Sequence, residues 1–309
     1  MSQSERKGDS VIYLDSAAST KISDRAKKVL IETIDTYYAN PSSLHEEGIK
    51  AKKRLNQARK HLAQLLSVHH KSLIFTSSGT ESNNLAIKGA FKAGTIDTII
   101  TTNVEHSSVI ESVNQLTNHK LNTVILKANT SGHINLDDLK HALKHSKHAL
   151  VSIIYANNEI GTLQDVLPIY ELVKAHEGYL HLDMVQAPLH QAIDFNVTPC
   201  DLASFSAHKF HGPRGVGFLY VKDPTILSPH MNGGQHEFSL RAGTENLPGI
   251  CAMVEAFDEA QTLVGEREKT INEISTYFLE QLSKNKIDYH LNGESLNGKR
   301  LKATLNLGF

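Results

Sequence analysis

Residues 73–92 read LIFTSSGTESNNLAIKGAFK. The apolar run Leu73-Ile74-Phe75 is closed by a hydroxyl-rich turn, Thr76-Ser77-Ser78-Gly79-Thr80-Glu81, after which apolar residues recur at helical spacing through 82–92. A short buried strand feeding a helix is the building unit of a sheet covered by helices. Downstream the unit repeats in kind. Short apolar, β-branched runs lie at Thr98-Ile99-Ile100, Thr123 to Leu126, Leu150 to Ile154, Leu202 to Phe205 and Val216 to Val221, and helical periodicity fills 107–117, 136–145 and 165–176. The fold class read from this order is α/β, with a mostly parallel sheet flanked by helices. Upstream, Leu44, Gly48, Ala51, Leu55, Ala58, Leu62 and Leu65 step by three and four. That stripe predicts a long helix, opened by Asn40-Pro41-Ser42-Ser43, lying on the sheet. After Asn246 a second helical pattern runs to about Ser283, followed by strand-like pieces at 287–291 and 301–308. These predict a smaller α+β domain that is still in mid-pattern at Phe309.

Composition narrows the function. The 309 residues carry 32 Lys+Arg against 33 Asp+Glu, so no basic excess exists for phosphate backbones or anionic membranes. Direct nucleic-acid binding and membrane association are therefore not expected. Two cysteines, Cys200 and Cys251, cannot form a disulfide framework, and the opening MSQSERKGDS lacks the apolar core of a signal peptide. A cytoplasmic protein is expected. His141, His145 and His148 share a helical face, but Lys140, Lys144 and Lys147 surround them and no carboxylate or cysteine completes a ligand set. No metal is expected.

Four motifs fall where strands end. Residues 76–81 place hydroxyls, a glycine and free N–H groups at a helix start, which suits either an anion or a plain helix cap. Lys209, in Ser206-Ala207-His208-Lys209-Phe210-His211-Gly212-Pro213-Arg214-Gly215-Val216-Gly217, follows a strand. It reads either as a solvated loop lysine or as a desolvated amine whose lowered pKa makes it a nucleophile, with Ser206 and His208 as further anion donors. Asp183, in His181-Leu182-Asp183-Met184-Val185-Gln186, is either a helix cap or a buried acid able to hold a pyridine nitrogen protonated. Glu105-His106 and Asn157-Asn158-Glu159-Ile160-Gly161 follow two more strands. Ligands of open α/β sheets gather at the carboxyl ends of strands, so the four motifs together point to one site.

These residues carry a resemblance. With Tyr13 to Ala18, Asn40-Pro41-Ser42-Ser43-Leu44-His45, the run FTSSGTESNNLAIKG at 75–89 and Arg241-Ala242-Gly243-Thr244-Glu245-Asn246, the chain resembles the cysteine desulfurases of the class V aminotransferase group, fold type I pyridoxal phosphate enzymes. The resemblance runs from Tyr13 to Phe309. It implies a large cofactor-binding domain over 21–262 and a small domain made of 1–20 with 263–309. It implies pyridoxal 5'-phosphate with Lys209 as Schiff-base lysine, Asp183 at the pyridine nitrogen, and His106 stacked on the ring and moving protons. Gln186 and Asn158 match positions that bond the ring hydroxyl. Gly79, Thr80, Ser206 and His208 match the phosphate positions, and Thr244 the residue that reaches the other subunit's phosphate in a homodimer. The implied reaction turns L-cysteine into L-alanine, with sulfur held as an enzyme persulfide and passed to an iron–sulfur scaffold or tRNA-thiolation enzyme.

The family's nucleophilic cysteine belongs to a small-domain loop that this sequence does not reach, and Cys200 and Cys251 do not align with it. The expectation is therefore a C-terminally incomplete small domain without the persulfide cysteine. Two other functions share the motifs. One is a class V lyase or aminotransferase that needs no mobile cysteine, and the other is a catalytically silent dimer partner.

Overall fold

The computed structural model describes residues 11–117 and 121–309, so the opening segment 1–10 lies outside the described residues. Seven strands form one sheet: β1 (Leu73–Thr76), β2 (Thr98–Thr102), β3 (Asn122–Leu126), β4 (Ala149–Ile154), β5 (Tyr179–Asp183), β6 (Leu202–Ser206) and β7 (Gly217–Val221). Their spatial order is β1-β7-β6-β5-β4-β2-β3. All neighbouring pairs are parallel except those of β7, which runs antiparallel to both β1 and β6. The α/β expectation of a mostly parallel sheet therefore holds.

Helices cover both faces. On one, α3 (Gly79–Lys92) and α4 (Ser107–Thr117) bury Leu85, Ile87, Val109 and Val113 against Ile74, Ile99, Leu150, Leu202 and Leu219. On the other, α2 (Glu46–Leu65), α5 (Leu136–Lys144), α6 (Val166–Ala175) and α7 (Leu247–Thr262) pack on Phe75, Val151, Leu182, Phe205 and Phe218. Phe205 and Phe218 stack at 4.3 Å, and Phe257 of α7 meets both edge-on. Strands buried on both faces explain their unbroken apolar runs.

Three expectations shift in detail. The stripe at 44–65 forms α2, but its cap is His45, whose Nδ1 accepts from Gly48 N at 3.3 Å, so Asn40-Pro41-Ser42-Ser43 is a preceding turn. The pattern after Asn246 is two helices, α7 and α8 (Val264–Lys284), broken at Leu263. The two terminal strand-like pieces shrink to β8 (His290–Leu291) and β9 (Leu307–Gly308). Between them the chain is irregular because buried Arg300 gathers the carbonyls of Ile160, Glu294 and Thr304. A helix ahead of α2, α1 (Asp24–Thr36), packs on α7.

Candidate active site

Parallel strands β1, β2, β4, β5 and β6 all end on one edge of the sheet, and the turns that follow them enclose a cleft of about 380 Å³. It is lined by Gly79, Thr80, His106, Asn158, Asp183, Gln186, Ser206, His208 and Lys209, together with Asp15, Ala17 and Asn83. Nine of the ten site residues expected from sequence thus share one cleft. The tenth, Thr244, is exposed outside it, on a loop tied to the rim by Arg241 Nε donating to Glu81 Oε1 at 2.8 Å.

One end of the cleft is the start of α3. Ser78 caps the helix by accepting from Glu81 N at 3.2 Å, and Glu81 Oε2 accepts from Ser77 N at 2.7 Å. The cap and the cup are thus the same segment, and they leave helix N–H groups and a favourable dipole at the cleft wall. Small residues are needed here. A Cβ on Gly79 would stand 2.5 Å from Val185 Cγ2, and one on Gly217 would stand 2.4 Å from Phe205 O and 3.0 Å from Ser78 C. Across the cleft, Ser206 ends β6, and His208 and Lys209 lie in the turn 207–209 that follows.

Charge in the cleft follows from burial. The Lys209 amine is pushed below its ordinary value by burial, against the pull of Asp183 and Asp15, and it donates to the Ala17 carbonyl. Gln186 Nε2 donates to the same carbonyl at 2.8 Å. Asp183 is buried at the end of β5, which raises its carboxyl, while donation from Asn83 Nδ2 at 2.7 Å and Val185 N at 3.1 Å opposes the rise. His208 is lowered by burial and then by Lys209 and Arg214. Asn158 Nδ2 donates to Glu159 Oε1 at 3.0 Å, and Asn157 Nδ2 ties the loop after β4 to Val104 O after β2.

Sequence reasoning missed two kinds of residue. One is Ala17, which acts through its backbone carbonyl and has no side-chain signal. The other is the pair Asn83 and Ser108: Asn83 Nδ2 also donates to Ser108 Oγ at 2.9 Å, and Ser108 Oγ lies 2.7 Å from His106 Nδ1. The two polar residues on buried helix faces were the available clue. Glu105, named above with His106 in a strand-end motif but given no role there, lies beside it. Its Oε1 accepts from Thr102 Oγ1 at 2.6 Å, its Oε2 is buried without a partner among the described residues, and burial raises its carboxyl to about 8.

A nucleophilic amine, a buried acid, an imidazole and an anion cup on one wall suit an amino-acid reaction run on a phosphorylated ring. Comparisons with known proteins agree. The family model described as aminotransferase class-V matches residues 12–307. The chain is 37% identical over 300 residues to the cysteine desulfurase IscS of Dictyoglomus turgidum, covering 96% of this chain and 75% of the relative. It is 35% identical over 300 residues to the cysteine desulfurase IscS of Methanosarcina thermophila, covering 96% and 73%. Among solved structures, a NifS-like protein superposes with a TM-score of 0.89 at 32% identity, covering 94% of this chain and 80% of that one. Another, described as SspA in complex with cysteine, gives 0.83 at 30%, covering 96% and 83%. The chain belongs to the aminotransferase class-V family of pyridoxal-phosphate-dependent enzymes.

Proposed function

We propose that the chain is a cysteine desulfurase that converts L-cysteine to L-alanine and hands the sulfur, as a persulfide, to an acceptor protein of iron–sulfur cluster assembly or tRNA thiolation. The observation that carries this reading is the meeting of Lys209, Asp183 and His106 with the start of α3 in one cleft. Homodimer formation, with Thr244 reaching the partner's cleft, belongs to the same proposal, as does cytoplasmic action. Among the described residues no helix is long and apolar enough to cross a membrane. A large unit over 21–262 and a smaller one of 1–20 with 263–309 are also proposed, supported by the helix break at Leu263.

The residues fit the cofactor. The α3 N-terminus, Thr80, Ser206 and His208 suit a phosphate, and buried Asp183 suits a ring nitrogen. When bound, pyridoxal phosphate supplies an electron sink for the pair left by a departing Cα proton. Asp183 holds the ring nitrogen protonated. His106 covers a ring face, and Gln186 with Asn158 orients the ring hydroxyl. Lys209 would hold the cofactor through its Nζ, and the same Nζ, kept a free base by burial, would be the group that takes the Cα proton.

Neither cysteine suits the persulfide step. Both are buried, and burial raises both thiols, which disfavours the attacking thiolate. Cys200 lies at the end of β6 remote from Lys209, and Cys251 is inside α7. A thiolate other than these two must therefore take the sulfur.

The test starts from the purified chain with added pyridoxal phosphate. Borohydride trapping and peptide mapping should place the label on Lys209, and Lys209→Ala should lose the visible absorption of the bound cofactor. With L-cysteine in deuterated water the parent should exchange its Cα proton, and sulfur removal should yield alanine. A label on another lysine, or a keto acid in place of alanine, would defeat the reading.

A further inference from the structure

Between Asp183 and His106 runs a continuous line of hydrogen bonds whose direction is fixed at its centre. Asn83, buried on α3, donates one Nδ2 hydrogen to Asp183 Oδ2 at 2.7 Å and the other to Ser108 Oγ at 2.9 Å. Its Oδ1 is buried with no partner among the described residues. The amide therefore spends both donors and no acceptor. Turned over, it would aim a carbonyl oxygen at a carboxylate oxygen, so its partners dictate the orientation.

The rest of the line follows from valence. Ser108 Oγ accepts from Asn83, which leaves its hydroxyl hydrogen for His106 Nδ1 at 2.7 Å. The backbone N–H of Ser108 points to the same nitrogen at 3.1 Å. A backbone N–H can only donate, so Nδ1 is an acceptor and the ring proton sits on Nε2. Asp183 meanwhile receives N–H donors on both oxygens, from Asn83 and from Val185 N at 3.1 Å.

We propose that Asn83 is a positioning residue that sets the direction of the side-chain hydrogen bonds between Asp183 and His106, holding Asp183 as an acceptor-only carboxylate and turning the Ser108 hydroxyl hydrogen onto His106 Nδ1, which the Ser108 backbone N–H independently keeps as an acceptor. This deepens the function proposed above and rests on its placing of Asp183 and His106 against the cofactor. Through Asn83 the group that faces the ring nitrogen and the group that covers the ring are prepared together. The titratable groups facing Asp183 are Lys209 from the turn after β6, with His106 and Glu105 from the loop after β2. Asn83 adds donors to that set without adding charge.

The experiment uses the full chain, before and after loading with pyridoxal phosphate, in the parent, Asn83→Leu, Asn83→Asp and Ser108→Ala. Ring ¹⁵N shifts report the His106 tautomer, and ¹³C-carboxyl shifts report the Asp183 titration. In the parent, Nδ1 should be the bare nitrogen. In Asn83→Leu the ring proton should stay on Nε2 while the Nδ1 shift moves toward that of a less strongly bonded ring nitrogen, Asp183 should titrate higher than in the parent, and cofactor affinity should fall about tenfold. Ser108→Ala should move the Nδ1 shift in the same way but leave the Asp183 titration in place. Asn83→Asp, nearly the same shape, should raise the Asp183 titration even where the leucine variant folds poorly. A parent-like Nδ1 shift and a parent-like titration in both Asn83 variants would overturn the proposal, as would an Asp183 change in Ser108→Ala as large as that in Asn83→Leu. Failure of the parent to bind pyridoxal phosphate would instead remove the cofactor reading alone, because tautomer and titration are also read on the cofactor-free chain.

Discussion

Replacing Glu237 by glutamine keeps the side chain's shape and removes the carboxylate facing the Arg59 guanidinium. Arg59 Nη2 lies 2.5 Å from Glu237 Oε1, with the two side chains 5% and 1% exposed, and Phe75 N of edge strand β1 donates to Oε2 at 2.8 Å. Arg59 also rests over the rings of Phe75 and Phe238 at 4.3 and 5.1 Å. Leaving one member of a buried pair unpartnered costs about 3–5 kcal/mol. Glutamine still offers Phe75 an acceptor, so that bond, about 1 kcal/mol, is kept. Part of the cost is returned by strain. Glu237, Phe238 and Ser239 have φ of 45°, 58° and 65°, a left-handed run without a glycine, and relaxing one of them recovers on the order of 1 kcal/mol. A net loss of about 2–4 kcal/mol follows for Glu237→Gln. Urea unfolding of the full chain near neutral pH would measure it, alongside Arg59→Met and the double variant. Because the double variant leaves no stranded charge, the cycle should return a coupling of about 2–3 kcal/mol. A loss in Glu237→Gln below about 1 kcal/mol, or a coupling near zero, would refute the argument that this pair pins the loop.

Glu105 gives a pH dependence opposite to that of an ordinary carboxylate. Its folded value of about 8 lies above the ordinary 4.5, so the stability it lends is full below 4.5 and is lost as pH rises through 8. Glu105→Gln should therefore gain on the parent between about pH 5 and pH 9 in urea melts, and a constant difference would contradict this. Gly79→Ala puts a Cβ 2.5 Å from Val185 Cγ2 and should weaken pyridoxal phosphate binding about tenfold or more by shifting the start of α3, as equilibrium dialysis would show. Cys200 and Cys251 should resist Ellman's reagent until the chain is unfolded, and Cys200→Ala/Cys251→Ala should leave any sulfur release unchanged. Rapid labelling of either thiol in the native chain would argue against their burial.

What could be read without coordinates depended on how a residue's signal is stored. The strands were legible because both faces of each are buried, leaving apolar runs such as Leu150 to Ile154 that few other settings tolerate. Lys209, Asp183 and His106 were legible because their residue types fall just past those runs. Helix α1 was not, since among its residues only Ala26 and Thr33 are buried and its lysines hide the stripe. The break at Leu263 carries no glycine or proline, and the left-handed turn at 237–239 is held by long-range contacts with Arg59 and Phe75. Asn83 escaped notice because a helical asparagine ordinarily faces water, and only its partners reveal the donor role.

The placement of β1 has a consequence for the order in which the molecule can assemble. Strands β2 through β6 find partners within short reaches of chain, whereas Leu73 of β1 waits for Tyr220 of β7, the one strand beside β1 among the described residues. Closing so long a loop is slow relative to the local pairings, because its entropy is spent before any contact repays it. The start of α3 follows β1 directly, so the phosphate end of the cleft takes shape only after the lysine-bearing turn has been threaded past β6 into β7. On a ribosome, that means this end of the cleft cannot be completed until Val221 has emerged. Pulse-labelled hydrogen exchange during refolding should accordingly protect the amides of β1 together with those of β7 and after those of β4 and β5.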